Sequence, residues 1–284
     1  MRKFGAYPIV VNYNLHTRLR YQHKENDFHR AGRYDEERQL DIKVNTSSDS
    51  TIENNLYKQE LNEYEQTVCN CLRKIEGNLV GLMVLGLINK KTTVRIVPKS
   101  DEELKRCTCA LTGPLKYDIQ KDGSVARGVG LGDTVILFHP ELGDDTLLHE
   151  LVHAYRYSYN KFHPLNVYYR TEYASYTVTS EEVLAHQIEN MYMSQAKRPV
   201  TLDYVSQAPA EKKEIYDFLA DNYFLLQSLK YFLRHEYLAM LAAHTFTTTD
   251  YNPFRDYVAL EAEYLEGAVS PTVPELGTPL LPTK

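Results

Sequence analysis

The sequence predicts an α+β protein in which a small mixed sheet packs against one buried helix, followed by a mostly helical C-terminal half. Residues 134–138 form a short apolar run rich in β-branched side chains, which is typical of a buried strand. Residues 147–159 follow after a short loop and carry an apolar face at helical spacing. Residues 210–246 repeat apolar side chains at the same spacing, which indicates two further helices.

The composition excludes several classes of protein. The 284 residues are enough for one sizeable domain or for two, and a composition of 43% hydrophobic and 25% charged residues is typical of a soluble globular protein. The net charge of −6 provides no basic surface, so we expect no nucleic-acid partner. The most apolar stretch, Leu79 to Ile88, is too short to span a bilayer.

The start of the chain shows no apolar segment of a cleaved signal peptide, although Met1-Arg2-Lys3 is basic. We therefore expect a protein that is cytoplasmic in the producing cell, or one that is secreted without a cleaved signal peptide into a target cell.

The composition also divides the chain into three parts. Residues 1–50 are polar and irregular apart from a strand-like run at 8–13, and they predict an N-terminal arm that is a candidate docking segment for secretion machinery or a chaperone. Residues 51–267 predict one domain. Residues 268–284 are rich in proline and predict a disordered tail.

The first half of the predicted domain contains a helix and a strand. Apolar residues from Ile52 to Ile75 recur at helical spacing, and the apolar run Leu79 to Ile88 is expected to extend that helix. Residues 92–97 are rich in β-branched side chains and predict a strand.

Two further segments flank the apolar helix on its C-terminal side. Residues 160–178 are rich in tyrosine and are expected to form a loop. Residues 179–190 predict a helix, with Thr179 or Ser180 as its N-cap.

The four cysteines fall in two C-x-C pairs, Cys69 with Cys71 and Cys107 with Cys109. Two such pairs could hold a structural zinc ion, but residues i and i+2 of a helix do not share a face. We expect reduced, buried thiols.

A metal-binding pattern lies in the apolar helix. Residues 149–153 read HELVH, an HExxH sequence, and because residues i and i+4 of a helix share a face, His149 and His153 point the same way. One Zn²⁺ can bind both, and Glu150 can then act as general base. Two incidental histidines are the alternative, but two histidines and a glutamate are costly to bury without a partner.

The start of this helix is predicted from its acidic residues. Asp144 or Asp145 is expected to act as N-cap. Strand, loop and zinc helix is also the order found in zinc peptidases, where a nearby sheet edge holds the substrate backbone by strand addition.

A catalytic zinc usually has three protein ligands and a water. The metzincin pattern requires Gly at position 156 and His at position 159, and Arg156 and Tyr159 exclude it. A gluzincin instead takes a glutamate from a later helix, where this chain has Glu181 and Glu182. Helical periodicity slightly favours Glu181, which shares a face with core residues, and His186 is an alternative ligand. A capped helix with two solvated acids is the simpler interpretation.

The two motifs together resemble a known family. HELVHAY at 149–155, followed by EEVLA at 181–185, is similar to the NleD-like zinc metallopeptidase effectors of bacterial pathogens. It is more distantly similar to the catalytic light chains of clostridial neurotoxins, which are gluzincins. The pair Glu189-Asn190 also recurs in such effector domains. The resemblance covers roughly residues 134–195 and is specific at the two motifs only.

This resemblance implies a zincin-like fold and a ligand set. In the neurotoxin pattern the second glutamate of the pair binds the metal, so the resemblance implies that His149, His153 and Glu182 hold one Zn²⁺ per chain. Residues left as candidates for an orienting role or as alternative ligands are Glu181, His186 and Glu189. Ala185 stands where the neurotoxins have threonine.

The resulting hypothesis is a zinc-dependent metalloendopeptidase, an effector- or toxin-type protease whose partner is a protein or peptide substrate. Glu150 would take a proton from a metal-activated water and pass it to the leaving amine. The developing oxyanion needs a further donor. Candidates for that donor are Tyr169, Tyr173, Arg234 and Tyr237.

Two other functions remain compatible with the sequence. One is a zinc hydrolase of a non-protein amide, such as a cell-wall cross-link, because HExxH determines the water chemistry and not the substrate. The other is a catalytically inactive, zincin-shaped binding module whose tyrosine-rich segment is its recognition surface.

Overall fold

A mixed α+β architecture is built around one five-stranded sheet. The computed structural model describes residues 2–11, 53–99, 104–105, 110–114, 117–119, 125–127, 132–162, 164–170, 175–204, 208–233 and 250–268. None of the helices in these ranges is long and apolar enough to cross a membrane.

Within the described ranges, the strands form one main sheet and three two-stranded pairs. Their bounds are β1 Arg2–Lys3, β2 Ile9–Val11, β3 Val94–Pro98, β4 Leu111–Pro114, β5 Tyr117–Ile119, β6 Val125–Arg127, β7 Thr134–Phe138, β8 Asn166–Arg170, β9 Ser175–Thr179, β10 Val200–Thr201 and β11 Pro209–Ala210. The main sheet has the order β1-β2-β3-β7-β4. Its three inner strands are parallel, and the outer strands β1 and β4 run antiparallel to their neighbours.

Helices cover the sheet and make up most of the C-terminal half. Their bounds are α1 Glu53–Glu76, α2 Leu79–Leu87, α3 Gly143–Ser158, α4 Ser180–Gln195, α5 Lys212–Asp221, α6 Tyr223–Leu233 and α7 Pro253–Ala268. A 3₁₀ turn, Pro140–Leu142, connects β7 to α3.

Strands β3 and β7 are almost entirely buried in the hydrophobic core. Every residue of β7 is buried, and four of the five residues of β3 are buried. A continuous apolar run is the pattern expected of a strand that is covered on both faces. The predicted strand at 134–138 is therefore confirmed with its bounds, and the strand predicted at 92–97 begins two residues later.

The single helix predicted from Ile52 to Ile88 is wrong, because the chain breaks it into α1 and α2. Asn78 caps α2, where its side-chain oxygen accepts hydrogen bonds from the amides of Val80 at 3.0 Å and Gly81 at 3.3 Å. The turn is tight: a Cβ at Gly81 would lie 2.2 Å from the carbonyl oxygen of Ile75. Only glycine fits this close approach.

The tyrosine-rich segment at 160–178 was expected to be a loop, and this prediction is wrong, since β8 and β9 form an antiparallel hairpin there. Its side chains alternate as a half-buried strand requires: Val167 and Tyr169 are each 5% exposed, whereas Tyr168 is 58% exposed. The hairpin leads directly into α4 and so sets where that helix begins.

The predicted N-cap of α3 is also wrong. Leu142 occupies the N-cap position without a side-chain hydrogen bond, and Asp144 and Asp145 lie in the first turn. Asp144 is engaged elsewhere, because its Oδ2 accepts from the hydroxyl of Tyr192 at 2.5 Å and from Arg198 at 2.8 Å. The aspartates therefore favour the helix start through their charge.

The predicted start of α4 is confirmed. The hydroxyl oxygen of Thr179 accepts a hydrogen bond from the amide of Glu182 at 3.3 Å. The glutamates of the first turn also interact favourably with the positive end of the helix dipole.

Several predicted segments lie partly outside the described residues. At the start of the predicted arm, β2 joins the main sheet, and Phe4, Ile9 and Val11 are buried in the core. Residues 12–52 and 269–284 are not described, so the division into arm, domain and tail stays a prediction. Helices α5 and α6 confirm the helical prediction from 210 as far as Leu233.

The cysteines are described in part. Cys69 and Cys71 are buried free thiols on α1, as the sequence predicted. Cys107 and Cys109 lie outside the described residues.

Candidate metal centre

Three side chains from two helices converge on one point. Helix α3 presents His149 and His153 with their ring centroids 5.0 Å apart. Helix α4 supplies Glu182, whose Oε2 lies 3.0 Å from Nε2 of His149 and 3.4 Å from Nε2 of His153. Both histidines are buried, at 6% and 5% exposure, whereas the side chain of Glu182 is 22% exposed, so solvent reaches the triad from the side of Glu182.

The chemistry and spacing of the triad fit a zinc ion. Zinc sites use imidazole nitrogens and carboxylate oxygens at roughly 2.0–2.2 Å, which places two ligands of a tetrahedral ion about 3.3 Å apart. The two nitrogen–oxygen distances of 3.0 and 3.4 Å lie close to that value. Within the described residues, this is the group of ligand atoms, all within 4.8 Å of one another, that could hold a metal.

Glu189 contacts one of the histidines. It lies two turns after Glu182 on the same face of α4, and its Oε2 is 3.0 Å from Nδ1 of His149. A carboxylate on Nδ1 holds the imidazole in the tautomer whose Nε2 is free to bind metal. Of the three residues predicted as orienting or alternative ligands, Glu189 is the one in contact with a histidine of the triad.

Glu150 lies beside the triad and against the sheet. It is 6% exposed, and its Oε2 accepts a hydrogen bond from the hydroxyl of Thr112 on β4 at 2.5 Å. Burial raises the pKa of Glu150 above its ordinary value, although His153, His149 and the Thr112 hydrogen bond each act to lower it. A carboxylate with a raised pKa is a better general base near neutral pH.

Glu181 points away from the triad. Its two oxygens accept from Nε of Arg156 at 2.9 Å and from Nη2 at 3.0 Å, and both side chains are fully buried. The core-side periodicity that favoured Glu181 as a ligand thus reflects a different partner, a buried arginine.

His186 is not a member of the group that could hold a metal. It lies 3% exposed on α4, where its Nε2 is 3.2 Å from the side-chain nitrogen of Asn190. Burial lowers the pKa of His186, so the neutral form is favoured there.

Of the predicted oxyanion donors, only Tyr169 is described. Its hydroxyl donates a hydrogen bond to Asp203 at 3.0 Å in the interior of the protein. The hydroxyl proton is therefore already used in a buried hydrogen bond. Tyr173, Arg234 and Tyr237 lie outside the described residues. Helix α6 ends at Leu233, one residue before Arg234.

No sequence pattern predicted the residues that surround the triad. The ring of Tyr204 stacks on His149 with centroids 5.6 Å apart, and the rings of Phe162 and His153 are nearly perpendicular, also with centroids 5.6 Å apart. Thr112 was also missed. Each of the three lies on a different connecting segment or strand, so no spacing along the chain marks them.

The contact between His149 and Glu182 shifts their two pKa values in opposite directions. Burial alone would lower the pKa of His149, but its hydrogen bonds to Glu182 and Glu189 outweigh burial and hold that pKa well above the ordinary value. Burial alone would raise the pKa of Glu182, but the nearby His153 and His149 outweigh it and hold that pKa well below the usual range.

Zinc binding is therefore expected to tighten as pH rises. His149 must lose its proton to bind metal, and below its raised pKa each zinc displaces one proton, which changes the affinity by about tenfold per pH unit. Competition against a chromophoric chelator between about pH 6 and pH 8 measures this slope. An affinity that does not change with pH would contradict the protonation state inferred for His149.

Glu189→Ala is expected to weaken zinc binding by roughly 10- to 100-fold, because His149 loses the carboxylate that orients it. The measurement is the zinc dissociation constant by the same competition. Glu141→Ala provides a matched control, since Glu141 is an exposed glutamate just before α3. Equal affinities of the two variants would show that Glu189 does not orient the site.

Comparison with known proteins gives little beyond this geometry. No model of a protein family matches the chain, and no curated protein matches it. Among solved structures, the light chain of Clostridium botulinum neurotoxin serotype F is similar at 13% sequence identity and a TM-score of 0.28. The match covers 74% of this chain and 66% of that chain, so this chain spans just under two thirds of the light chain's length. A score of this size does not establish a common fold.

Proposed function

We propose that the protein is a zinc-dependent endopeptidase. The observation that supports this most directly is the meeting of His149, His153 and Glu182 at one point, with Glu150 adjacent. A zinc ion held by these three side chains would lower the pKa of its water ligand and polarise the scissile carbonyl.

Glu150 carries the proton transfers of this mechanism. Its carboxylate accepts the proton of the attacking water and then delivers it to the leaving amine. The hydrogen bond from Thr112 holds one carboxylate oxygen of Glu150 in place. Its buried position keeps competing water away from the transfer.

A protein substrate is favoured by the position of β4. This strand is the last of the main sheet, and within the described residues no strand pairs with its outer side. Thr112, in the middle of β4, touches Glu150. An extended peptide that adds to this edge by backbone hydrogen bonds would pass close to the general base. A target protein in another cell is supported only by the motif resemblance to effector peptidases.

The test compares zinc-loaded and chelator-treated protein on two substrate pools. A pool of unfolded proteins should be cleaved by the zinc-loaded protein alone, with new N-termini at internal peptide bonds. If the protein released fragments from peptidoglycan and left the protein pool intact, the proposed activity would have to be that of a cell-wall amidase instead of a peptidase. Absence of zinc after reconstitution would overturn the proposal and favour a binding module.

A further inference from the structure

We infer that the buried ion pair Arg156–Glu181 is a positioning device that aims Glu182 at the metal. The inference rests on the proposed zinc site and adds residues that touch neither metal nor substrate. Both side chains are fully buried, and the guanidinium and the carboxylate share two hydrogen bonds, at 2.9 and 3.0 Å.

The geometry of this pair fixes an orientation as well as a distance. Two parallel hydrogen bonds between a planar guanidinium and a planar carboxylate hold both groups in one plane. Glu181 is therefore immobilised at the start of α4. Glu182, the next residue, leaves the helix about 100° further round its axis, so fixing Glu181 fixes the direction in which Glu182 emerges.

The pair is one of a series of contacts between the same two helices. Along α3, His149 contacts Glu189, His153 contacts Glu182, and Arg156 contacts Glu181. The partners on α4 occur in the reverse order along the chain. These contacts set the register of α4 against α3, and the Arg156 contact is the one that needs no metal and no shared proton.

Stability alone is a poor explanation for this pair. Burying two charges costs about as much as their attraction returns, and apolar side chains of similar volume often stabilise a protein equally well. Nη1 of Arg156 is in addition buried without a hydrogen-bond partner among the described residues. The guanidinium also lies 5.2 Å from the ring centroid of Phe232, which shields it from water. An apolar pair of similar volume could not fix the relative orientation of the two side chains as this ion pair does.

The test separates positioning from stability by replacing both partners together. Arg156→Met combined with Glu181→Leu removes both charges and keeps apolar volume, so the melting temperature should stay close to that of the wild type. The zinc dissociation constant should rise roughly 10- to 100-fold, the range seen when a group that orients a ligand is lost. Zinc affinity equal to the wild type in this folded variant would overturn the inference.

Arg156→Lys serves if the double variant does not fold. It keeps the charge but replaces the two-point contact by a single ammonium, so the zinc dissociation constant should again rise while the chain stays folded. Wild-type affinity in Arg156→Lys would equally overturn the inference.

A control pair distinguishes this effect from a general loss of helix packing. Lys230 of α6 and Glu261 of α7 form an ion pair at 2.7 Å between two other helices, and neither residue belongs to the triad. Lys230→Met combined with Glu261→Leu should leave zinc affinity unchanged, and an equal loss there would assign the effect to packing. The wild type measured alongside separates the two proposals: absence of zinc there refutes the metal site, whereas zinc bound equally by wild type and variant refutes only the positioning role.

Discussion

Glu150→Gln is expected to bind one zinc per chain and to lose peptide hydrolysis by about 10²- to 10⁴-fold, the usual contribution of a general base. The amide has nearly the shape of the carboxylate and can still accept the hydrogen bond of Thr112, so the fold and the three ligands should be unchanged. The glutamine cannot accept the proton of the attacking water. The measurement is the cleavage rate together with metal content.

One control variant and two contrary outcomes make this prediction specific. Glu141→Gln changes an exposed glutamate near the start of α3 and should retain full activity. Retention of activity by Glu150→Gln would refute the assigned mechanism even if zinc is bound. Loss of zinc together with activity would instead mean that Glu150 helps to hold the metal.

His153→Ala and Glu182→Ala are each expected to lose stoichiometric zinc. Each removes one of three protein ligands, and the remaining two cannot complete the protein part of a tetrahedral site. Metal content of the purified variants by plasma emission measures the loss. Their melting temperatures show whether the chain is still folded.

The control for the ligand variants is His139→Ala. His139 precedes the 3₁₀ turn, where its side chain accepts a hydrogen bond from the amide of Glu141, and it lies outside the triad. This variant should retain zinc. Zinc retained in Glu182→Ala would contradict the assigned ligand and move the third ligand to another carboxylate, with Glu189 the nearest on the same face of α4.

Three glutamates of helix α4 have different partners on helix α3. Glu182 and Glu189 lie on one face and contact the histidines, whereas Glu181 lies on another face and holds Arg156. The thermodynamic consequence is that metal binding, histidine orientation and helix register depend on one element. Substitutions along α4 are therefore expected to couple with one another in zinc affinity.

Local sequence patterns were sufficient for the elements that carry the chemistry. The spacing of His149 and His153 placed both on one helix face, because the period of an α-helix is a property of the backbone. The strand β7 and the cap at Thr179 were likewise predicted, since an apolar run and a capping residue are both recognised from residues that are adjacent along the chain.

Other features depended on contacts between segments that are distant along the chain. Periodicity could not choose between Glu181 and Glu182, because the choice depends on whether each faces Arg156 or the histidines. The strand β4 and its Thr112 became recognisable only when the sheet placed them beside Glu150.

Local sequence patterns predicted one helix that carries two histidines and the glutamate between them. The packing of the elements set which carboxylate joins both histidines, which one contacts His149 alone, and which strand lies beside Glu150. The physical reason is that secondary structure follows the local period of side chains along the backbone, whereas the partners of a buried charge are set by how the elements pack.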